Sequence, residues 1–347
     1  MPSSRDATID VLRGLAVLTM IPANMSGTVY AEPHSFWFRV FGSFAAPLFI
    51  LLSGYMVGAN TSSKKYTLGY FALRGAIVLA VAALIDVCIW RIAPFMTFDV
   101  LYVIGLSMPL VYLFRRIPSG WVRWGILAAL VAGTPLLQHV LGYTDYPTEF
   151  YLVRSEQIAP SANETSVLHH ILIDGWFPLF PWLAFSLLGA ALADLRSRPQ
   201  GAPAAGRRWA LAGLGLLAAG VAAWWCYPAP LLTRGGYSEL FYPPTVGFIL
   251  TAIGVIVLLF FLVDLRPGLA AYHPLRLLGE AALFMYIAHL ALIQYFLSSM
   301  WPRQPQGTFL VLAAATTAAL MVAGVGIRRL KVLWKSRPMP LRLLLGG

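Results

Sequence analysis

Four residues near the start of the chain have types and spacings that suit chemistry. The first apolar run reads IDVLRGLAVLTMIPANMSGTVY and carries Asp10, Arg13 and Asn24. Asp10 and Arg13 are three apart, so on a helix they share a face. They make either a structural ion pair or a cation placed to receive an anionic group. Asn24 follows Arg13 by eleven residues, about three turns, which turns both toward the same side roughly 16 Å apart. Pro22 loosens the backbone just before it. His34 follows in AEPHSFW. Its imidazole, with an ordinary pKa near 6.5, suits proton transfer, although a histidine in a connection is often only solvated.

Other polar groups fall inside apolar runs. His289 lies in the middle of GEAALFMYIAHLALIQYF, with Glu280 at its start. Nine residues separate them, so they do not share a face. A histidine there either hydrogen-bonds a neighbouring helix or serves a site. Asp86 and Asp99 sit near the ends of two runs, where either is able simply to face water. His169 and His170 are adjacent and expected on different sides of their element, with no third ligand in view, so no metal site is expected. Cys88 and Cys226 show no CxxC or Cys/His spacing and read as small buried residues.

These groups need elements to hold them, and the composition says which. Of 347 residues, 59% are hydrophobic and 11% charged, and the mean hydropathy is +0.73. A water-soluble core cannot absorb that much apolar surface, whereas a bilayer can. The formal charge of +11 does not indicate a nucleic-acid partner, because the cations are not interleaved with aromatics on one soluble face. A spanning helix needs about 20 apolar residues. Ten runs qualify: 8–29, 41–59, 69–91, 98–114, 121–141, 176–194, 208–227, 243–264, 279–299 and 308–327. The first keeps its charges and lacks a cleavage signal, so it is expected to stay as a helix.

The expected fold is therefore an all-α, polytopic bundle of about ten transmembrane helices, one domain over 1–347. With both termini cytoplasmic, 20 of the 25 Lys and Arg fall on the cytoplasmic side, as positive charge directs. The 142–175 connection is long and acidic, with Asp145, Glu149, Glu156, Glu164 and Asp174. It is expected outside, as a solvated cap or a substrate lid. Asn163 opens a glycosylation sequon. No internal repeat, Walker A loop or soluble catalytic domain is visible.

At these residues the chain resembles the membrane acyltransferase family of heparan-α-glucosaminide N-acetyltransferase and its bacterial relatives. IDVLRGLAVLTMIPANMSG resembles the family's first helix, and FWFRVFGSFAAPLFILLSGY its second. DVLYVIGLSM, DGWFPLFPWLAFSLLGA, FYPPTVGFILTAIG and LLGEAALFMYIAHLALI are similar to further family elements, in the same order. The resemblance runs over nearly the whole chain. It implies a catalytic histidine at His34 and a helix-one asparagine at Asn24. The family's second helix often carries an Asp ahead of its proline step, where this chain reads GSFAAP; Asp174 or Glu32 is the acid available to substitute. Acyltransferase-3 proteins, which O-acylate surface sugars, also begin LRGxA but have His where Asn24 stands.

The resemblance implies an acetyltransferase of the bacterial inner membrane. Its donor would be cytoplasmic acetyl-CoA, its acceptor an amine or hydroxyl of an extracytoplasmic, glucosamine-type sugar, and it would use no metal. Arg13 and Arg74, with Asp10 and His289, are the candidate donor-binding residues. His34, Asn24 and Asp174 are the candidate catalytic residues. A homodimer is the assembly the family suggests. Two rival classes are a transporter or flippase for an anionic or lipid-linked substrate and a scaffold without catalysis.

Overall fold

The computed structural model describes residues 6–61, 63, 65–143, 166–197, 202–228, 233–334, 336 and 338–346. The acidic loop residues Asp145, Glu149, Glu156 and Glu164, the sequon at Asn163, and the cations Arg5, Lys64, Arg154, Arg198, Lys335 and Arg337 lie outside the described residues.

Among the described residues, thirteen helices of seven residues or more carry the fold, named here in chain order: α1 (Ala7–Val29), α2 (Phe36–Gly42), α3 (Ala45–Asn60), α4 (Leu68–Ile85), α5 (Val100–Arg116), α6 (Gly120–Leu141), α7 (Leu179–Ser197), α8 (Ala202–Cys226), α9 (Val246–Leu265), α10 (His273–Gly279), α11 (Ala282–Leu292), α12 (Gln306–Leu333) and α13 (Met339–Leu345). Shorter π-helical, 3-10 and α-helical turns and isolated β-bridges accompany them among the described residues. Polar side chains set several helix starts by accepting from first-turn amides: Asp6 for α1, Thr67 for α4, Asp99 for α5 and Thr245 for α9.

The protein is an all-α, polytopic membrane bundle. Eight segments among the described residues are long and apolar enough to cross a bilayer. They correspond to eight of the ten expected runs. The other two, α1 and α5, are helices as well, but α5 has only 17 residues and α1 is interrupted by Asp10, Arg13 and Asn24. Both lie deep in the bundle, where protein rather than lipid receives their polar groups. The second expected run starts earlier than 41, because α2 precedes it. The chain turns at Ser43 and Phe44 before α3, since Pro47 has no N–H to bond the carbonyl of Ser43.

Small residues let the central helices approach closely. A Cβ at Gly14 would overlap the carbonyl of Leu275, and one at Gly279 that of Asp10, which fixes the crossing of α1 and α10. Gly54 and Gly189 do the same between α3 and α7. There Ser186 also donates to the carbonyl of Ile50 (3.2 Å) and to Ser107 Oγ (3.0 Å).

Three expectations are corrected. Cys88 and Cys226 are exposed on the outside of the bundle rather than buried; a thiol is apolar enough to sit there. Asp86 does not face water. It is 1% exposed and accepts from Tyr102 Oη, from Thr97 Oγ1 (3.3 Å) and from the Phe95 amide (3.3 Å). His169 and His170 do not diverge. A π-helical turn at His170–Asp174 widens the spiral, so both imidazoles meet the Asp174 carboxylate.

Candidate active site

Among the described residues, α1 lines two chambers, one toward the end where it begins and one toward the end where it finishes. The proximal chamber has a volume of about 170 Å³. Arg13 of α1 lines it, together with Ser53 and Asn60 of α3, Tyr66, and Tyr70 and Arg74 of α4. Tyr66 and Tyr70 present rings 4.8 Å apart, and Arg74 Nη1 reaches Tyr70 Oη at 3.5 Å. Among its described lining residues the charged ones are Arg13 and Arg74, both basic. Leu343 of α13 closes part of its wall.

The distal chamber is larger, about 280 Å³. Asn24 and Thr28 of α1 line it, with Asp99, Trp176, Tyr237, Glu239 and Tyr242. Its charged described lining residues are Asp99 and Glu239, both acidic. Phe49, Val100 and Tyr286 belong to the walls of both chambers. Tyr286 Oη donates to Asp99 Oδ2 (2.7 Å), which fixes that ring at the boundary.

Each sequence-expected residue has a definite place. Arg13 and Arg74 meet in the proximal chamber. Asp10 is not among the chamber's described lining residues; it is 6% exposed and packed where α1 crosses Gly279. Asn24 faces the distal chamber and is paired with His289, whose Nε2 lies 2.8 Å from Asn24 Nδ2. His289 Nδ1 donates to the Met285 carbonyl (2.8 Å), which leaves Nε2 to accept from Asn24. His289 thus stands with Asn24 rather than with Arg13.

His34 stands one residue layer behind the distal chamber. Its Nδ1 is 2.7 Å from Ser238 Oγ, and the neighbours of Ser238, Tyr237 and Glu239, form the chamber wall. The ring stacks on Tyr30 at 4.5 Å, which in turn stacks on Phe309 at 4.5 Å. Backbone bonds from Arg303 and Gln304 to Thr28 and Val29 hold this end of α1 in place. Burial keeps the imidazole pKa below its ordinary value, so it is neutral near pH 7 and able to take a proton. Its Nε2 is buried with no hydrogen-bond partner among the described residues.

Asp174 lies outside the chamber lining. It is 0% exposed and holds His170 Nδ1 at 2.8 Å and His169 Nδ1 at 3.0 Å. Burial alone would raise its carboxyl, but the hydrogen bond with His170 and the nearby His169 hold it below the usual value. Arg234 Nη1 donates to the carbonyls of Asp174 (3.2 Å) and Gly175 (3.0 Å), with its guanidinium against Trp176 and Tyr242. Asp174 and Arg234 therefore set the wall residues Trp176 and Phe177 in position.

Residues 5–217 carry a family signature. The sequence model of heparan-alpha-glucosaminide N-acetyltransferase, catalytic, matches residues 5–217. The chain belongs to this family. Membership of the heparan-alpha-glucosaminide N-acetyltransferase family makes the protein a multi-pass membrane acetyltransferase at the family level. No curated protein sequence matches the chain. The family match takes in Arg13, Asn24, His34, Arg74 and Asp174 and ends before the second part of the distal chamber. Tyr237, Glu239 and Tyr286 complete its described lining from beyond the matched region, and His289, also beyond it, pairs with Asn24.

Sequence reasoning did not find Ser238, Glu239 or Arg234. They lie in a connection without periodicity, and the tight Arg234–Tyr237 turn is its one local signal. Gly235 and Gly236 there adopt φ of 57° and 83°, which glycine tolerates and other residues resist.

Proposed function

We propose that the protein transfers an acetyl group from cytoplasmic acetyl-CoA, held in the proximal chamber, to an amine or hydroxyl of a sugar entering the distal chamber from the other side of the membrane. The observation that carries this reading is the pairing of a basic chamber with an acidic one across a shared boundary at Phe49, Val100 and Tyr286. An anionic donor and a polar acceptor then approach the same boundary from opposite ends.

Arg13 and Arg74 bind the donor's phosphates by charge-assisted hydrogen bonds. The thioester reaches toward Asn24, whose amide, oriented by His289, polarises the carbonyl that becomes an oxyanion. His34 takes the proton lost by the attacking group and passes it to the leaving sulfur, with Ser238 between it and the chamber. The same imidazole also suits a covalent acetyl relay. The basic excess of the connections supports a cytoplasmic α1 start, and the reading takes the membrane to be a bacterial inner membrane.

The test is direct. Detergent-solubilised protein is incubated with labelled acetyl-CoA and glucosamine, and CoA release and labelled product are measured. Acceptor-dependent CoA release with label on the sugar is expected. Substrate flux through vesicles without CoA release would instead indicate a transporter and sink the reading.

A further inference from the structure

Glu239 is a buried acid for which the transfer reading has assigned no role. It is 7% exposed and lines the distal chamber. Its Oε2 is buried and has no hydrogen-bond partner among the described residues. A buried carboxylate oxygen left unsatisfied is costly, and its persistence asks for a ligand.

The backbone around it is held from the opposite side. Arg39 Nε donates to the Ser238 carbonyl (2.6 Å), the Leu240 amide donates to Ser43 Oγ (2.7 Å), and His34 holds the Ser238 hydroxyl. Residues 238–240 are thus pinned to α2, its C-terminal turn and the His34 connection, and Glu239 is directed into the chamber. The second acid of the chamber, Asp99, already accepts from Tyr286 and from the Val100 amide. Glu239 is the carboxylate with an oxygen to spare. Trp176 and Tyr237, packed edge to face at 5.3 Å, supply aromatic faces suited to a sugar ring or a cation.

We propose that Glu239 receives the acceptor, binding the ammonium form of an amine through Oε2 and removing its first proton. This rests on the transfer reading above. Proton balance supports it. A hydroxyl loses one proton on acylation, whereas an ammonium loses two, and one imidazole cannot take both in a single turn. The first N–H proton goes to Glu239, and the freed lone pair forms the C–N bond at the thioester carbon. The second proton goes to His34 as the C–S bond breaks, and the departing thiolate takes it from His34. The products are amide, CoA thiol and one proton, which Glu239 returns to water.

The experiment compares two acceptors in the purified full chain, with labelled acetyl-CoA as donor. Glucosamine is charged near neutral pH, and an aniline-type amine is not. E239Q is expected to lower kcat/KM for glucosamine by about 100-fold, the lower end of general base catalysis. It should change the aniline-type rate by no more than a few-fold and leave acetyl-CoA affinity unaltered, which also verifies folding. E239D, which keeps the carboxylate, should recover part of the glucosamine rate. Glucosamine transfer by E239Q at the wild-type rate, or an equal loss on both acceptors, overturns the assignment alone. Wild-type protein that transfers to neither acceptor overturns the transfer reading and the assignment with it.

Discussion

Asn24 and His289 are 265 residues apart in sequence and 2.8 Å apart across the α1–α11 interface. The Met285 carbonyl engages Nδ1 of the imidazole, so Nε2 faces Asn24 as an acceptor. On the transfer reading, His289 positions the asparagine rather than acting as a base. H289A should lower kcat about tenfold while leaving acetyl-CoA affinity within twofold, and H289Q, which still accepts a hydrogen bond, should lose less. A variant as active as wild type would separate the two residues functionally.

Arg13 and Arg74 bring positive charge to the proximal chamber. A charge-assisted hydrogen bond contributes about 1.5–3 kcal/mol, which corresponds to roughly ten- to hundredfold in affinity. R13A and R74A should each weaken acetyl-CoA binding by at least about tenfold, measured by calorimetry on the solubilised protein. Dephospho-CoA, with one phosphate fewer, should discriminate less between variant and wild type. An unchanged dissociation constant removes that arginine from the donor site.

The pH dependence follows from two groups outside the spanning helices. Burial pushes the Glu239 carboxyl up to about 7, and burial holds the His34 imidazole below its ordinary value. Both must be deprotonated to accept protons. As pH falls through about 7, Glu239 protonates first, and His34 follows at lower pH. Transfer to glucosamine should therefore rise from pH 6 to pH 8, and E239Q should flatten the upper part of that rise. A wild-type rate that is constant over this range would contradict the assignment of Glu239.

Asp174 is expected to act on stability. Its folded-state pKa is held below the ordinary carboxylate value, so its contribution is fully present above that value and is lost as pH falls through the folded pKa. Leaving a buried hydrogen-bonding group without its partner costs about 1–3 kcal/mol. D174A should lower the thermal midpoint at pH 7 and approach wild type under acid conditions. Equal midpoints at pH 7 would count against a structural role.

Apolar length and punctuation made the helices legible. The 121–141 run is helix Gly120–Leu141, and 208–227 falls within one turn of the end of Ala202–Cys226. The short helices α10 and α13 escaped notice, because seven residues carry too little periodicity to read. Arg13 and Asn24 were legible as members of one face because a single helix carries both. The pairing of Asn24 with His289 was not, since nothing local links α1 to α11. Glu239 and Ser238 were hidden for a related reason: their importance comes from the turn that presents them, not from the type of either residue. Asp174 was legible as an acid at the end of the 142–175 connection, but a π turn directs it toward His169 and His170 and away from the cavity.

The most direct test of transfer across the bundle uses proteoliposomes with a single, verified protein orientation. Labelled acetyl-CoA is supplied only on the side bearing the α1 start, glucosamine only on the other, and labelled N-acetylglucosamine is measured in each compartment. Label is expected on the sugar in the compartment that never contained acetyl-CoA. Product formed only when donor and acceptor share one compartment would contradict a path from Arg13 to Asn24 through the membrane.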